Sequence, residues 1–393
     1  MSKPIVKIVV GANYGDEGKG LATNFFCQSA KNLEVDCVNI LHNGGPQRGH
    51  TVELPNGDRH VFHHFGSGTF SDAETLFAST FMVDPIRFME EYRQLEESFR
   101  IRPRCRISNS CRVITPYDVF INQIVEDYRA NERHGSCGCG IWETQIRYQN
   151  TKWNYSYSEM RKMSNSDLME YLTGLATSYV PVKLREYGIQ EIPEAYQDLL
   201  NSEYLKINFI QDLRTMSTYC RGLTSNYLMN SKLLVFEGGQ GLALDEDNES
   251  MKPHVTASST GSKNPLVMLK GMDCDIEICY VTRSYFTRHG AGPFPTECQR
   301  NEINEYIPTD ETNQPNEFQG TLRYGRADIE EMMTRIQGDR MKAIDTVGHV
   351  TTSLMVTHNN YYTGFDIDNP ALSVFDKVYL SDTKFAKDIV IYR

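Results

Sequence analysis

The sequence predicts an α/β fold: a largely parallel central sheet flanked by helices, with a helical insertion. Three observations carry that reading. Strand-like apolar runs alternate with helical segments over roughly the first 130 residues, as they do where crossover helices join parallel strands. Residues from about 150 to 230 are rich in Tyr, Leu, Met and charge at helical spacing, as in "SDLMEYLTGLATSYVPVKLREYGI", and form the insertion. Strand-like runs then resume, each ending in a polar or glycine-rich turn.

Taken in order, Ile5–Val10 is a continuous apolar run of the kind that fills a buried strand, and a helix follows Gly20. Val35–Leu41 is the next strand, and "DPIRFMEEYRQLEESF" and "PYDVFINQIVEDYRAN" are helices. After the insertion, "KLLVFEGGQGLALD" re-enters a glycine turn, "DCDIEICYVTRSYFTR" adds a strand, and "KAIDTVGHVTTSLMVTHNN" and "KVYLSD" supply late strands of the same sheet. The 393 residues show no internal repeat, low-complexity tract or linker, so one domain over residues 1–393 is expected, with the insertion at about 150–230.

The bulk properties narrow the function. A net charge of −11 argues against a protein that coats nucleic acid, while leaving room for a local basic site for an anionic ligand. No apolar run approaches the roughly 18 residues that span a bilayer, and the N-terminus enters a strand with no signal-peptide core, so a cytoplasmic location is expected. Ten scattered cysteines include no C-x-x-C pair and read as reduced thiols. Cys137 and Cys139 in "GSCGCG" are the nearest pair, a weak metal signal inside a glycine loop.

Chemistry concentrates in the turns. Between the first strand and helix lies "GANYGDEGKG", a strand–glycine turn–helix arrangement whose free backbone N–H groups suit a phosphate. A Walker A loop would place Ser or Thr after the lysine to hold Mg2+, and Gly20 stands there instead. The hard oxygen ligand in this turn is therefore Asp16 or Glu17, and Lys19 neutralises phosphate charge. "HNGGPQRGHTV" sets His50 beside Thr51, where an imidazole can work as acid or base, although a lone histidine is more often structural. Further glycine turns follow at "HHFGSGTF", "HGSCGCGI", "FEGGQGLALDED" and "TRHGAGPFPTE".

In that order and spacing, "GDEGKG", "GG..RGHTV", "FEGGQG.ALD", "HVTASST" and "GAGPFPTE" resemble adenylosuccinate synthetase, from residue 5 to about 300 and more loosely to the end. The resemblance implies that family's α/β fold and a ligase joining L-aspartate to C6 of a purine nucleoside 5′-monophosphate. Because a C6 oxygen leaves poorly, a nucleoside triphosphate phosphorylates it first and the aspartate amine then displaces phosphate. By resemblance, Asp16 takes the N1 proton and ligates Mg2+, with the Gly49 carbonyl by the metal. His50 is an acid on the transfer, and Lys19 with Gly15, Glu17, Gly18, Gly20 and Thr51 holds the triphosphate. Gln240 contacts the purine. Gln47, Ser136, Cys137 and Thr256 fall at the monophosphate site, where Cys137 and Cys139 replace a family Thr and Arg, so a metal at that pair is not expected. The family is usually a homodimer in which one subunit's arginine reaches the other's monophosphate, and Arg147 is the candidate here.

Three departures touch ligand contacts rather than the chemical core. The aspartate loop reads "EFQGTLRYGRAD", with Arg323 and Arg326 where the family has several arginines; Thr321 and Arg323 are its expected ligands, the latter through a forked contact. At the guanine-selecting signature "VTHNN" puts His358 and Asn360 in place of Lys and Asp. Losing that carboxylate removes charge-assisted contacts worth about 1.5–3 kcal/mol each, and an amide suits adenine's donor–acceptor pair. Third, "YG" replaces "WG" at 14–15, and Gln47 replaces an Asn. These changes resemble the phage 2-aminoadenylosuccinate synthetase branch, which implies dGMP and ATP as substrates and N6-succino-2-amino-2′-deoxyadenylate as product. Asp16 instead matches the housekeeping enzyme, where that branch often has Ser, so IMP with GTP stays open. A homologue that only binds purine nucleotides is the reading from another class.

Overall fold

The computed structural model describes residues 3–224, 226–313, 320–362 and 364–393. Ten of its strands form one sheet: β1 (Ile5–Gly11), β2 (Cys37–Leu41), β3 (Glu74–Phe77), β4 (Cys105–Ile107), β5 (Cys220–Gly222), β6 (Leu233–Gly241), β7 (Asp275–Arg283), β8 (Thr351–Thr357), β9 (Lys377–Ser381) and β10 (Val390–Ile391). Their lateral order is β10-β9-β8-β7-β1-β6-β2-β3-β4-β5. All neighbours run parallel except β10, which pairs antiparallel with β9. The expected parallel sheet is therefore present.

The central strand explains why. Val6, Ile8, Val9 and Val10 of β1 are all fully buried, the double-sided burial that a parallel sheet covered by helices imposes. Ile8 sits in register with Phe236 of β6 on one side and Ile278 of β7 on the other. The chain leaves β1 toward β2 on one side, and leaves the adjacent β6 toward β7 on the other, so the strand order reverses between β1 and β6. The crevice this opens beyond the strands' carboxyl ends is where ligands bind in open α/β sheets.

Helix α1 (Lys19–Asn32) follows β1 directly. Helix α2 (Pro85–Phe99) starts at Asp84, whose carboxylate accepts from the Ile86 and Arg87 N–H groups, with Pro85 at the first helical position. Helix α3 (Pro116–Arg129) carries a reciprocal capping box between Thr115 and Asp118. Such caps contribute about 1 kcal/mol each and fix where these helices begin.

The insertion is helical, as expected, with segments at Tyr157–Lys162, Asn165–Gly174, Val180–Glu186, Glu194–Asn201 and Glu203–Tyr219. Leu168, Leu172, Phe209 and Leu213 bury themselves in one core with Phe88, Tyr92 and Leu95 of α2, and Tyr219 stacks on Tyr92 at 4.3 Å. The insertion then ends by adding β5 to the sheet edge, a strand the helical periodicity did not foresee. A second addition is a small antiparallel sheet in which Leu322–Gly325 pairs with Phe286–His289 and Glu297–Cys298. It determines where Arg323 points.

Candidate active site

A cleft of about 890 Å³ opens at the carboxyl ends of β1, β2, β6, β7, β8 and β9. Gly15, Asp16, Gly18, Lys19, Gly20, Gln47, Gly49, His50, Thr51, Cys137, Gln240 and His358 all line it, so most residues singled out in the sequence meet in one place.

The first turn is built around Glu17, which is only 2 % exposed. Its carboxylate accepts from Asn13 N–H at 3.1 Å and Gly15 N–H at 2.8 Å and pairs with Lys19 Nζ at 2.5 Å. A Cβ on Gly11 would lie 2.6 Å from that carboxylate, so a side chain there would displace the Glu17 carboxylate from its partners. Burial by itself would raise the Glu17 carboxyl, but Lys19 and the backbone donors hold it below its usual range. Glu17 thus shapes the turn and lies outside the cleft wall. That corrects the reading that left Glu17 open as the oxygen ligand and as a phosphate contact.

Asp16 has the opposite environment. Its backbone is left-handed (φ 59°), which turns its side chain to the cleft while its carbonyl accepts from Arg283 Nε at 2.6 Å. Burial raises the carboxyl despite the nearby Arg283 and Lys19 cations. The Arg283 guanidinium also pairs with Asp310 at 3.2 Å, tying the 308–313 loop to the same turn.

His50 is held from behind. Its Nδ1 lies 2.6 Å from Glu237 Oε1, while its buried Nε2 has no partner among the described residues. Glu237 also accepts from Ser67 N–H at 3.0 Å and faces Arg48 at 3.4 Å. Burial would raise this carboxyl; Arg48 and the hydrogen bond from His50 overturn that and keep it ionised. An ionised Glu237 fixes the Nδ1–H tautomer, so Nε2 carries a lone pair. Burial depresses the imidazole to about 4 despite Glu237, which makes His50 neutral at pH 7. At rest it is an acceptor, and it becomes an acid only when an anion draws in a proton.

Gln240 and Gln47 meet at the other side, where Gln47 Nε2 donates to Gln240 Oε1 at 3.3 Å and Gln47 Oε1 accepts from Gly45 N–H at 2.6 Å. His358 is fixed at Nδ1 by Tyr285 OH at 3.0 Å, and burial lowers its imidazole to about 3, leaving a neutral flat ring on the wall.

Several expected ligands stand elsewhere. Arg147 is wholly buried: its guanidinium pairs with both Asp118 oxygens at 2.8 and 2.9 Å and donates to the Trp153 and Val113 carbonyls at 2.7 and 2.6 Å. It cannot reach a partner's ligand without unpacking that core. Ser136 lies off the cleft wall, its hydroxyl donating to Asn122 at 2.9 Å. Thr256 is likewise off the wall, and Thr321 is exposed. Arg323 is drawn away by the small antiparallel sheet; its fork grips Glu297, with Nε to Oε1 at 2.8 Å, and donates to the Gly290 and Gly292 carbonyls. Residues 317–319 at the head of that loop lie outside the described residues. Asn360 is exposed and off the wall, whereas Asp382, which accepts from Asn359 Nδ2 at 3.1 Å, lines it.

The residues that sequence reasoning missed are charges from β6, the end of β7 and two loops. Arg48, Glu237, Arg283 and Asp310 form the electrostatic frame of the site. Arg48 and Glu237 stood inside the quoted "RGH" and "FEGG" turns, and for Glu237 and Arg283 the polar residue closing an apolar run was the available signal.

Among the described residues, no group of three or more His, Cys, Asp or Glu is arranged to hold a metal, and no helix is long and apolar enough to cross a membrane. The Asp16 carboxylate on the wall still suits Mg2+, which is commonly held by one or two carboxylates together with substrate phosphates.

A parallel α/β sheet with a glycine turn before α1, and a buried His–Glu pair at a cleft beyond the strands' carboxyl ends, defines a protein of the doubly wound class. Residues 8–334 match the adenylosuccinate synthetase family model, and the chain belongs to the adenylosuccinate synthetase family. It is 30% identical over 313 residues to an adenylosuccinate synthetase of Buchnera aphidicola subsp. Baizongia pistaciae, covering 74% of this chain and 65% of that protein. It is also 30% identical over 294 residues to one of Mycobacterium sp. (strain KMS), covering 74% and 64%. The match thus spans just under two thirds of these relatives. In fold it is similar to the fully ligated adenylosuccinate synthetase of Plasmodium falciparum, with a TM-score of 0.62, 19% identity and 98% and 87% of the two chains covered. It is similarly close to the cyanophage S-2L succinoaminodeoxyadenylate synthetase bound to dGMP and dATP as an energy donor, with a TM-score of 0.60, 15% identity and 99% and 95% covered.

Proposed function

We propose that this protein is a C–N ligase that joins L-aspartate to C6 of a purine nucleoside 5′-monophosphate, driven by a nucleoside triphosphate through a 6-phosphoryl intermediate. The observation that carries it is the convergence of Asp16, Lys19, His50 and Gln240 on one cleft of a chain from this family. In this reading Gln240, held by Gln47, orients the purine, and Asp16 accepts the N1 proton so that O6 becomes nucleophilic. Lys19 offsets the charge of the transferring phosphoryl group, and His50 donates to it once protonated. Asp16 and the neighbouring Gly49 would hold Mg2+, which supplies charge neutralisation on the triphosphate. Release of phosphate that requires both aspartate and a purine monophosphate tests the reaction; binding with no such release would instead make the chain a purine-nucleotide-binding homologue.

For the substrate pair we favour dGMP with ATP, giving N6-succino-2-amino-2′-deoxyadenylate, because the neutral ring of His358 stands on the cleft wall where the family's guanine-reading signature has Lys. IMP with GTP is the second reading, and Asp382 on the cleft wall favours it, since a carboxylate accepts from guanine's adjacent donors. A matrix of IMP, GMP and dGMP against ATP, dATP and GTP separates the two. With dGMP and ATP as the pair, ATP turns over at least about tenfold better than GTP, and Asp382→Asn leaves that ratio unchanged. A GTP preference that collapses in Asp382→Asn establishes the second reading.

His50 gives a separate expectation. Its imidazole is neutral in the free protein, and a triphosphate beside Nε2 favours the protonated form. Nucleotide binding is therefore expected to take up to about one proton at pH 7, so affinity rises as pH falls through the bound-state pKa. Calorimetry in buffers of different ionisation enthalpy measures the uptake. It should vanish in His50→Gln; uptake that persists there places the proton on another group.

A further inference from the structure

The reaction proposed above gives Cys137 and Cys139 no part, yet both line the cleft. Gly138 between them is left-handed (φ 71°), a conformation glycine adopts without strain, and the two thiols meet across it. The loop is pinned to α3: Gln123 Nε2 donates to the Gly138 carbonyl at 3.3 Å, and Asn122 Oδ1 accepts from Ser136 Oγ at 2.9 Å and Gly140 N–H at 3.0 Å. In the neutral pair the Cys139 thiol donates to the Cys137 carbonyl at 3.6 Å. When Cys139 ionises, the Cys137 thiol donates to it instead, which lowers the Cys139 thiol and raises that of Cys137. The Arg87 guanidinium favours the Cys139 thiolate, and Asp84, its ion-pair partner at 3.7 Å, opposes it. Cys274 and Cys298, the other cysteines short of full burial, differ: burial raises both thiols, and Cys274 stands between Asp273 and Asp275.

We infer that Cys137 and Cys139 are a reversible thiol-modification site in the cleft wall, one that takes small disulfides and closes to a Cys137–Cys139 disulfide. Reactive cysteines sit beside a cation at a surface that solvent reaches, and here Arg87 supplies the cation and the half-buried Cys137 the access. The Cys139 thiolate attacks one sulfur of the small disulfide and expels one small thiolate, leaving a mixed disulfide on Cys139. Cys137 then gives up its proton and displaces the second small thiolate from Cys139, closing the protein disulfide. Two electrons pass from the pair to the small disulfide, whose two thiolates carry off the two protons. Closure works against the bonds that pin Ser136, Gly138 and Gly140 to α3, so it changes the wall that the cleft's ligands face. The site does not depend on which substrates the cleft takes.

The test treats the folded protein with hydroxyethyl disulfide and maps its cysteines by alkylation and mass spectrometry. The first product should be the Cys137–Cys139 disulfide, reversed by dithiothreitol and formed at least about tenfold faster than any adduct at Cys274 or Cys298. Cys137→Ser should halt at a mixed disulfide on Cys139, since the displacing thiol is gone. Turnover of the oxidised wild type should fall at least about fivefold and return with dithiothreitol. Adducts that form first at Cys274 or Cys298, or a 137–139 pair that reacts only after denaturation, overturn the assignment, and this mapping needs neither a variant nor activity. A fully formed disulfide that leaves turnover unchanged overturns its hold on the cleft.

Discussion

Asp16→Asn is expected to lower turnover by about 100-fold or more while leaving folding nearly intact, the scale that loss of a positioned proton acceptor carries. The side chain explains why the two effects separate. Asp16 sits at φ 59°, a left-handed conformation that Asn adopts as readily as Asp, so the substitution adds no backbone strain. The turn itself is held by the Asp16 carbonyl on Arg283, by Glu17 on the Asn13 and Gly15 amides, and by Thr357 Oγ1 donating to the Glu17 carbonyl at 2.7 Å. None of these uses the Asp16 carboxylate. What the amide loses is basicity, in a group that burial has already raised above its ordinary value. Single-turnover rates with saturating substrates, together with a thermal melt, measure both quantities. Activity above a tenth of wild type in a folded variant would remove Asp16 from the proton transfer.

The same turn shows what could be read from the sequence and what could not. The glycine turns that line the cleft were legible because their chemistry is local: in the first, a buried strand, glycines and charges follow one another over residues 5–20. The parallel sheet was legible for a similar reason, since strands buried on both faces read as unbroken apolar runs. The division of labour between Asp16 and Glu17 was not, because adjacent acids have the same composition and differ only in which way a left-handed turn points them. Arg323 misled for a related reason. Its residue type fits a dicarboxylate, but the antiparallel pairing of Leu322–Gly325 with Glu297–Cys298 brings Glu297 to it first. The cations and carboxylates that frame the cleft, Arg283, Asp310, Arg48 and Glu237, come from four separate places in the chain, and only the fold brings them together.

Arg147→Met is expected to destabilise the protein by about 3–5 kcal/mol, the cost of removing one partner from a buried ion pair. The sequence suggested an arginine that reaches a neighbouring subunit. In the structure its guanidinium is 0 % exposed and joins α3 to the insertion: Asp118 lies on α3, Tyr171 on the Asn165–Gly174 helix, and Nη1 donates to the Tyr171 hydroxyl at 2.9 Å. Met restores volume but leaves Asp118 with a buried charge and removes the guanidinium donors from the Trp153 and Val113 carbonyls, of which Trp153 keeps the Tyr171 hydroxyl at 2.9 Å. Two contacts moderate the loss. Thr115 donates to Asp118 through both its N–H and its hydroxyl, each at 2.8 Å, so the abandoned carboxylate keeps its capping bonds and the effect should fall toward the lower end of the range. Replacing Asp118 as well, in Arg147→Met/Asp118→Leu, removes the orphaned charge and should recover part of the stability, at the expense of the α3 cap. Urea unfolding of the three variants measures these differences. If Arg147→Met instead unfolds like wild type and raises only the KM for the purine monophosphate, Arg147 acts at the ligand and the packing described here does not govern its role.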